Sequence, residues 1–121
     1  MAPKRDFIAL YTNDLDWQDD TVLALPKGVK VKILFEDPEM GRQDIMVKFP
    51  PGYVEPMHTH ESSHSIVVLE GKMCVAGKEL GPGDYVFGWD KEHGPYRYPE
   101  GCTVFVAAMG KSLIHRFEKN D

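Results

Sequence analysis

The chain has 121 residues, of which 42% are hydrophobic and 27% are charged, and its formal net charge is −5. This length suits one domain with a single core, and an acidic balance without a Lys/Arg cluster argues against a nucleic-acid partner. No apolar run approaches the roughly 18 residues of a membrane span, so we expect no membrane partner. Residues 1–6 lack the apolar stretch of a signal peptide. We therefore expect a cytoplasmic location, unless such a peptide has been removed.

The first half of the chain predicts one short helix and then strands. A short helix is expected over residues 7–11. Apolar residues alternate with other residues over 30–35 and 44–49, which is the period of half-buried strands. Turn signals rich in glycine and proline follow each run.

The second half continues the strand pattern. Residues 66–69 and 104–109 are apolar at every position, which is typical of strands covered on both faces by another sheet or by a partner subunit. Alternation returns over residues 113–117. Many short strands at this spacing, with no long helix, predict an all-β antiparallel sandwich or barrel.

Histidines form the most informative cluster in the sequence. His58, His60 and His64 stand in one window of seven residues, and His93 follows in a later strand-like stretch. Imidazole is the commonest metal ligand, and a mononuclear site needs three or four such groups around one point. Alternate residues of a strand share a face, so His58 and His60 should point the same way. A turn after them would return His64 on a neighbouring strand, and the cluster therefore predicts a metal site.

The spacing of these residues resembles a known motif. The pattern Gly52-x5-His58-x-His60-x3-His64-x6-Gly71 is similar to the first motif of the cupin superfamily, G-x5-HxH-x3,4-E-x6-G. Every spacing fits. The one departure is His64, which stands where the family carries a glutamate.

A second, looser resemblance lies further along the chain. Residues 80–86 are similar to the turn and strand that open the second cupin motif, and His93 takes the place of its last histidine. The strict form of this motif would put histidine where the chain has Val86. Together the two motifs cover about residues 50–108.

The resemblance implies a cupin jelly-roll barrel with short helices at most. The expected organisation is a single domain over residues 1–121. Its N-terminal strands would occupy residues 1–50, and its metal-binding barrel core would occupy about residues 50–110.

The resemblance also implies one divalent transition metal per chain, with His58, His60, His64 and His93 as ligands. Three histidines and one glutamate would leave a divalent site at net +1, whereas four neutral histidines leave it at +2. The higher charge makes the metal more Lewis acidic and favours an anionic ligand such as an enolate. Imidazole ligands favour copper or iron, with manganese, nickel and zinc as alternatives.

Other candidate site residues lie near the motifs. Glu55 is a weak candidate for a catalytic base, and Arg97 is a weak candidate for a carboxylate or enolate anchor, with an ordinary salt bridge as its alternative. Trp89, Tyr96 and Tyr98 are candidate substrate-binding residues, because aromatic rings at a cavity mouth can stack on a flat substrate or a sugar. Filling of the core or of the surface is the alternative for these three aromatics.

The leading functional hypothesis is a metal-dependent oxidoreductase that uses O2 or peroxide to cleave a small organic substrate of the diketone or phenolic type. Copper-dependent oxidation of a carbohydrate is a variant of it. Two alternatives stay open: a non-redox lyase or isomerase, and a non-catalytic metal-binding sensor. The expected partners are a small-molecule or saccharide substrate and a second copy of the chain, since cupins commonly form homodimers.

Overall fold

A computed structural model describes residues 6–19 and 28–110 and the backbone of residues 114–116. A 3-10 helix covers Thr12–Asp14. The strands of the described residues are, in chain order, β1 (Gln18–Asp19), β2 (Lys30–Asp37), β3 (Arg42–Phe49), β4 (Tyr53–Glu55), β5 (His58–His60), β6 (Ser63–Gly71), β7 (Met73–Val75), β8 (Lys78–Leu80), β9 (Tyr85–Gly88), β10 (Tyr96–Tyr98), β11 (Cys102–Met109) and β12 (Ile114–Arg116). Within this part of the chain, no helix has the length and apolar character that a membrane crossing requires.

Two antiparallel sheets make up most of the molecule. The larger has the order β1-β2-β3-β11-β6-β9, and the smaller has the order β4-β10-β7-β8. β12 pairs with β5 in a separate ladder. The two sheets share one apolar core, in which Phe49 of the larger sheet stacks on Tyr98 of the smaller sheet with ring centroids 4.1 Å apart. This arrangement confirms the predicted all-β jelly-roll fold.

The central strands follow the predicted alternation. In β3 the side chains of Ile45, Val47 and Phe49 are buried, whereas Lys48 between the last two is exposed. β3 pairs with β11 along its whole length, so that Val47 lies opposite Val104. Because both partners face the same side of the sheet, their apolar side chains form the floor of the barrel.

β2 departs from the predicted pattern at Lys32. The expected alternation places this lysine on the outer face, yet only 5% of the residue is exposed. Its ammonium group donates to the Thr12 carbonyl at 2.9 Å and lies 4.7 Å from the centre of the Trp17 ring. The N-terminal segment therefore covers the outer face here, which a strand pattern alone could not indicate.

The helix predicted over residues 7–11 is wrong. Residues 6–11 form no helix, and the one helical turn in this region comes after them, at Thr12–Asp14. Phe7 is 89% exposed and Tyr11 is 84% exposed. Such a short segment buries no face against the core, and an isolated short helix is unstable in water without that packing.

The two fully apolar runs, residues 66–69 of β6 and residues 104–109 of β11, are covered on one side within the described chain. Val68 of β6 and Val104 of β11 are 1% exposed, whereas Leu69 and Met109 on the other side are each 44% exposed. Among the described residues, no other sheet supplies the expected second cover. Of the strand expected over residues 113–117, the backbone of residues 114–116 is described and is a strand, and the rest lies outside the described residues.

A glycine makes the tight exit from β6. Gly71 has a φ of +83°, a conformation that side chains disfavour. A Cβ atom at this position would overlap the carbonyl oxygen of Gly101. This close approach holds β6, which carries His64, against the start of β11.

Candidate metal centre

β5 presents two histidines to the barrel interior. His58 is 8% exposed and His60 is 2% exposed, and Thr59 between them faces the other way. This is the result of the two-residue period of an extended strand. His64 lies on the inner face of β6, where it is 6% exposed. The sequence therefore predicted the direction of all three side chains.

His93 reaches the same place through its backbone. The prediction that it stands in a strand-like stretch is wrong, because His93 lies in the loop between β9 and β10, where it forms an isolated antiparallel bridge with His58. The His58 N–H donates to the His93 carbonyl, and the His93 N–H donates to the His58 carbonyl, each at 2.9 Å. These two bonds fix a loop residue beside a strand residue, and the His93 ring centre lies 4.5 Å from that of His58.

Three imidazoles converge. His58, His60 and His93 each offer one ligand atom, and these atoms all lie within 4.8 Å of one another. The ring centres of His60 and His93 are 4.9 Å apart, and those of His58 and His60 are 5.6 Å apart. This separation suits nitrogen ligands around one ion, since each would lie about 2.0–2.1 Å from it.

Hydrogen bonds select the nitrogen that each ring leaves for a metal. Nδ1 lies 2.9 Å from a carbonyl oxygen in His58, 2.6 Å in His60 and 2.6 Å in His93. A carbonyl can only accept, so each Nδ1 carries the proton and donates it. The lone pair of each neutral ring is then on Nε2. The donor set fits a divalent transition ion, which prefers such oriented imidazoles to the oxygen ligands of calcium or magnesium.

His64 lies beside this group and not within it. Its ring stacks on that of His60 with centroids 3.8 Å apart and planes 18° apart. Its Nε2 atom is 2.8 Å from the hydroxyl oxygen of Ser62, which is fully buried. Ligation by His64 therefore stays a prediction, whereas the ligand atoms of the other three predicted ligands lie within 4.8 Å of one another.

Burial keeps two of these rings neutral. Burial, together with smaller contributions from the charges of His60, His58 and His93, lowers the pKa of His64 to about 3. Burial also lowers the pKa of His60, against the opposing effect of its bond to the Ser62 carbonyl. Neutral imidazoles are the form that binds metals.

The histidines open into an apolar cavity of about 60 Å³. Besides the histidines and the buried carboxylate of Glu55, it is bounded by aromatic and aliphatic side chains. The aliphatic side chains and the phenylalanine that line it are Val47, Phe49, Ile66, Met73, Val104 and Val106.

The remaining sequence candidates divide between the cavity and the surface. Glu55 is 5% exposed, and its Oε2 atom lies 3.9 Å from Nδ1 of His58. Tyr96 and Tyr98 are buried and line the cavity. Arg97 is exposed, because it lies between them on β10 and faces outward. Trp89 is 59% exposed, and its indole N–H donates to the Glu61 carbonyl at 3.1 Å.

Two residues that sequence analysis did not select contribute to the site. Ser62 lies in the turn that the sequence predicts between His60 and His64. Gly88 lines the cavity, and a Cβ atom there would lie 2.9 Å from Cε1 of the His93 ring. A lone glycine at the end of a strand pattern often marks such a close approach, so Gly88 had a usable signal and Ser62 had none.

Substitution of Gly88 by alanine should disturb the metal centre without unfolding the protein. The added methyl group has to displace the His93 ring, and we expect metal affinity to fall about 10-fold or more, as for other changes that misorient a ligand. Isothermal titration with Zn²⁺ measures the effect. Gly81→Ala is the matched control, because a Cβ atom there meets nothing within 4 Å. Equal affinities of the two variants would contradict the prediction.

The metal-free protein should become less stable as the pH is lowered. The unfolded chain protonates His64 near pH 6.5 and the folded chain near pH 3, so the unfolded state binds more protons between these values. The free energy of unfolding should decrease by on the order of 3 kcal/mol between pH 7.5 and 4.5. Urea denaturation of the wild type and of His64→Gln at both pH values tests this. The same pH dependence in both proteins would contradict it.

Comparison with solved structures relates the fold of this chain to that of known proteins. A structure from Methylibium petroleiphilum PM1, assigned provisionally as an acetylacetone dioxygenase, is 18% identical, with a TM-score of 0.78, over 99% of this chain and 87% of that one. An acetylacetone dioxygenase from Acinetobacter johnsonii is 16% identical, with a TM-score of 0.72, over 99% and 83%. The polyketide cyclase RemF from Streptomyces resistomycificus is 21% identical, with a TM-score of 0.74, over 96% and 89%. At these identities the similarity shows the fold alone.

One curated relative also matches. The DNA damage-repair/toleration protein DRT102 of Arabidopsis thaliana is 32% identical over 96 residues, which are 74% of this chain and 30% of that protein. The chain thus spans less than a third of the length of this relative. The model of the ChrR cupin-like domain matches residues 5–111. This range is most of the chain, and the protein therefore belongs to the ChrR cupin-like family.

Proposed function

We propose that this protein is a metal-dependent oxidoreductase that uses O2, or alternatively peroxide, to cleave a small diketone-type substrate. One observation carries the proposal. The imidazoles of His58, His60 and His93 each bring one ligand atom to within 4.8 Å of the others at the wall of a small apolar cavity, and their Nδ1 contacts to main-chain carbonyls leave Nε2 for a metal. Copper or iron is the proposed ion, and manganese, nickel and zinc are the alternatives.

Charge at the site supports an anionic substrate. Ligation by the neutral imidazoles of His58, His60 and His93 would leave a divalent ion its +2 charge, which would favour an enolate over a neutral molecule. When bound, a redox-active ion would supply electron transfer to the oxidant and polarisation of the substrate oxygens. The aliphatic cavity walls would exclude water from this reaction.

The chain supplies groups for the proton that a diketone loses on enolisation. Among the described residues that line the cavity, Glu55 provides the carboxylate, and we assign it as the acceptor of that proton. Burial raises the pKa of Tyr96 to about 12, with a further contribution from the charge of Glu55. Burial likewise raises the pKa of Tyr98. Both hydroxyls therefore stay protonated at neutral pH and can donate hydrogen bonds to a substrate oxygen.

The size of the cavity favours a compact substrate over a sugar. The cavity is small and its walls are mostly apolar, which favours a compact molecule over a ring that carries many hydroxyl groups. The named activity of the Acinetobacter johnsonii protein agrees with such a substrate. The named cyclase RemF favours the non-redox alternative on the same fold, and consumption of oxygen separates the two.

Oxygen uptake tests the proposal. Protein purified without a chelating column would be stripped, reloaded separately with Fe(II), Cu(II), Mn(II), Ni(II) and Zn(II), and assayed in an oxygen electrode with 2,4-pentanedione, catechol and an oligosaccharide. We expect uptake with the diketone and a redox-active ion, at one O2 per substrate, because each oxygen atom ends on one of the two carbons of the cleaved bond. Turnover without oxygen uptake would favour the lyase or isomerase, and metal binding without any turnover would favour the sensor.

Three variants assign the residues in this assay. His58→Gln should lose bound metal and activity together. Glu55→Gln should keep its metal and lose about 100-fold or more in kcat, which is the usual contribution of a positioned base. Glu61→Gln is the matched control, because Glu61 is adjacent to His60 in sequence but exposed. A Glu55→Gln variant with wild-type kcat would remove Glu55 from the mechanism.

We also propose that the outer face of the larger sheet forms a homodimer. Leu69, Tyr85 and Phe87 are 44%, 56% and 52% exposed there, and Tyr85 lies opposite Val67 in the β6–β9 ladder. A face of this composition is typical of a contact between protein subunits. Sedimentation velocity should give a dimer for the wild type and a monomer for Phe87→Asp. A monomeric wild type at micromolar concentration would contradict the proposal.

A further inference from the structure

Ser62 contacts two of the four clustered histidines through different atoms. It is 0% exposed. Its carbonyl accepts the Nδ1–H of His60 at 2.6 Å, and its hydroxyl oxygen lies 2.8 Å from Nε2 of His64. The carbonyl contact leaves the His60 lone pair on Nε2, whereas the hydroxyl contact occupies that same atom of His64. Ser62 therefore leaves Nε2 of His60 available to a metal and engages Nε2 of His64 in a hydrogen bond.

The stacking of the His60 and His64 rings also keeps His64 from binding the ion that His60 would hold. Their centroids are 3.8 Å apart and their planes differ by 18°. An imidazole nitrogen holds an ion in the plane of its own ring, at about 2.0–2.1 Å. The two ring planes are nearly parallel. An ion in the plane of the His60 ring would therefore lie out of the plane of the His64 ring, displaced by most of the separation between the two rings. In this arrangement the two rings cannot hold one ion together.

We propose that the Ser62 hydroxyl is a positioning group that holds His64 out of the coordination sphere, so that three imidazoles and not four bind the metal. The inference rests on the metal site of the proposed function and adds a determinant of its coordination number. A fourth imidazole would take a position that the substrate or the oxidant needs. Ser62 would keep that position free while His64 stays in the wall of the cavity.

The hydroxyl can be removed separately from the carbonyl. Ser62→Ala keeps the main-chain contact to His60 and deletes only the contact to His64. The His64 ring is then free to rotate away from its stacked position. Ser63→Ala is the matched control, because Ser63 is the neighbouring serine and precedes His64 on the opposite face of β6.

Pulsed electron paramagnetic resonance of the Cu(II)-loaded proteins counts coordinated imidazoles through their remote nitrogens, and chelator competition gives the dissociation constant. We expect three imidazoles in the wild type, in Ser63→Ala and in His64→Gln, with dissociation constants within about 3-fold of one another. Ser62→Ala should show four imidazoles and about 10-fold tighter binding. The double variant Ser62→Ala/His64→Gln should return to three imidazoles and to wild-type affinity.

Four imidazoles in the wild type, falling to three in His64→Gln, would overturn the proposal while leaving the metal site intact. So would three imidazoles in a folded Ser62→Ala protein. Failure of the wild type to bind copper would refute the metal site itself and this inference with it. If Ser62→Ala does not fold, the comparison of the wild type with His64→Gln still decides whether His64 lies outside the coordination sphere, and four imidazoles in the wild type would overturn the proposal.

Discussion

The backbone bridge between His58 and His93 is the interaction on which the metal centre depends. Its two hydrogen bonds of 2.9 Å join a barrel strand to a loop that the sheet ladders leave unpaired. Two further hydrogen bonds attach the same loop to the His60 end of β5. The Asp90 N–H donates to the His60 carbonyl at 2.8 Å, and the indole of Trp89 donates to the next carbonyl. A site held in this way is formed before any ligand arrives.

The sequence predicted the parts of the site that follow from strand periodicity. A two-residue spacing places His58 and His60 on one face, and His64 follows on the next strand. The position of His93 was predicted from a motif and not from periodicity, because a loop has none. The orientation of His64 could not be predicted, since it depends on the rotation of one ring and on the hydroxyl of Ser62.

The fold, like the site, was predicted correctly where it follows from the alternation of residues along single strands. Alternation in β3 gave the inner and outer residues correctly. β2 failed at Lys32, because a segment distant in sequence covers that face, and a shift in the β2–β3 register follows Ile33. Local patterns report the preference of each strand, whereas a cover formed by distant residues enters only with the tertiary structure.

The ring orientations also have a consequence for tolerance of sequence change. The groups that accept from His58, His60 and His93 are the main-chain carbonyls of Pro56, Ser62 and Lys91. A main-chain oxygen survives any point substitution of its own residue, unlike the carboxylates that often orient metal-binding histidines. Substitutions at Pro56, Ser62 and Lys91 can therefore change the side chains around the metal centre while the imidazoles keep their tautomers.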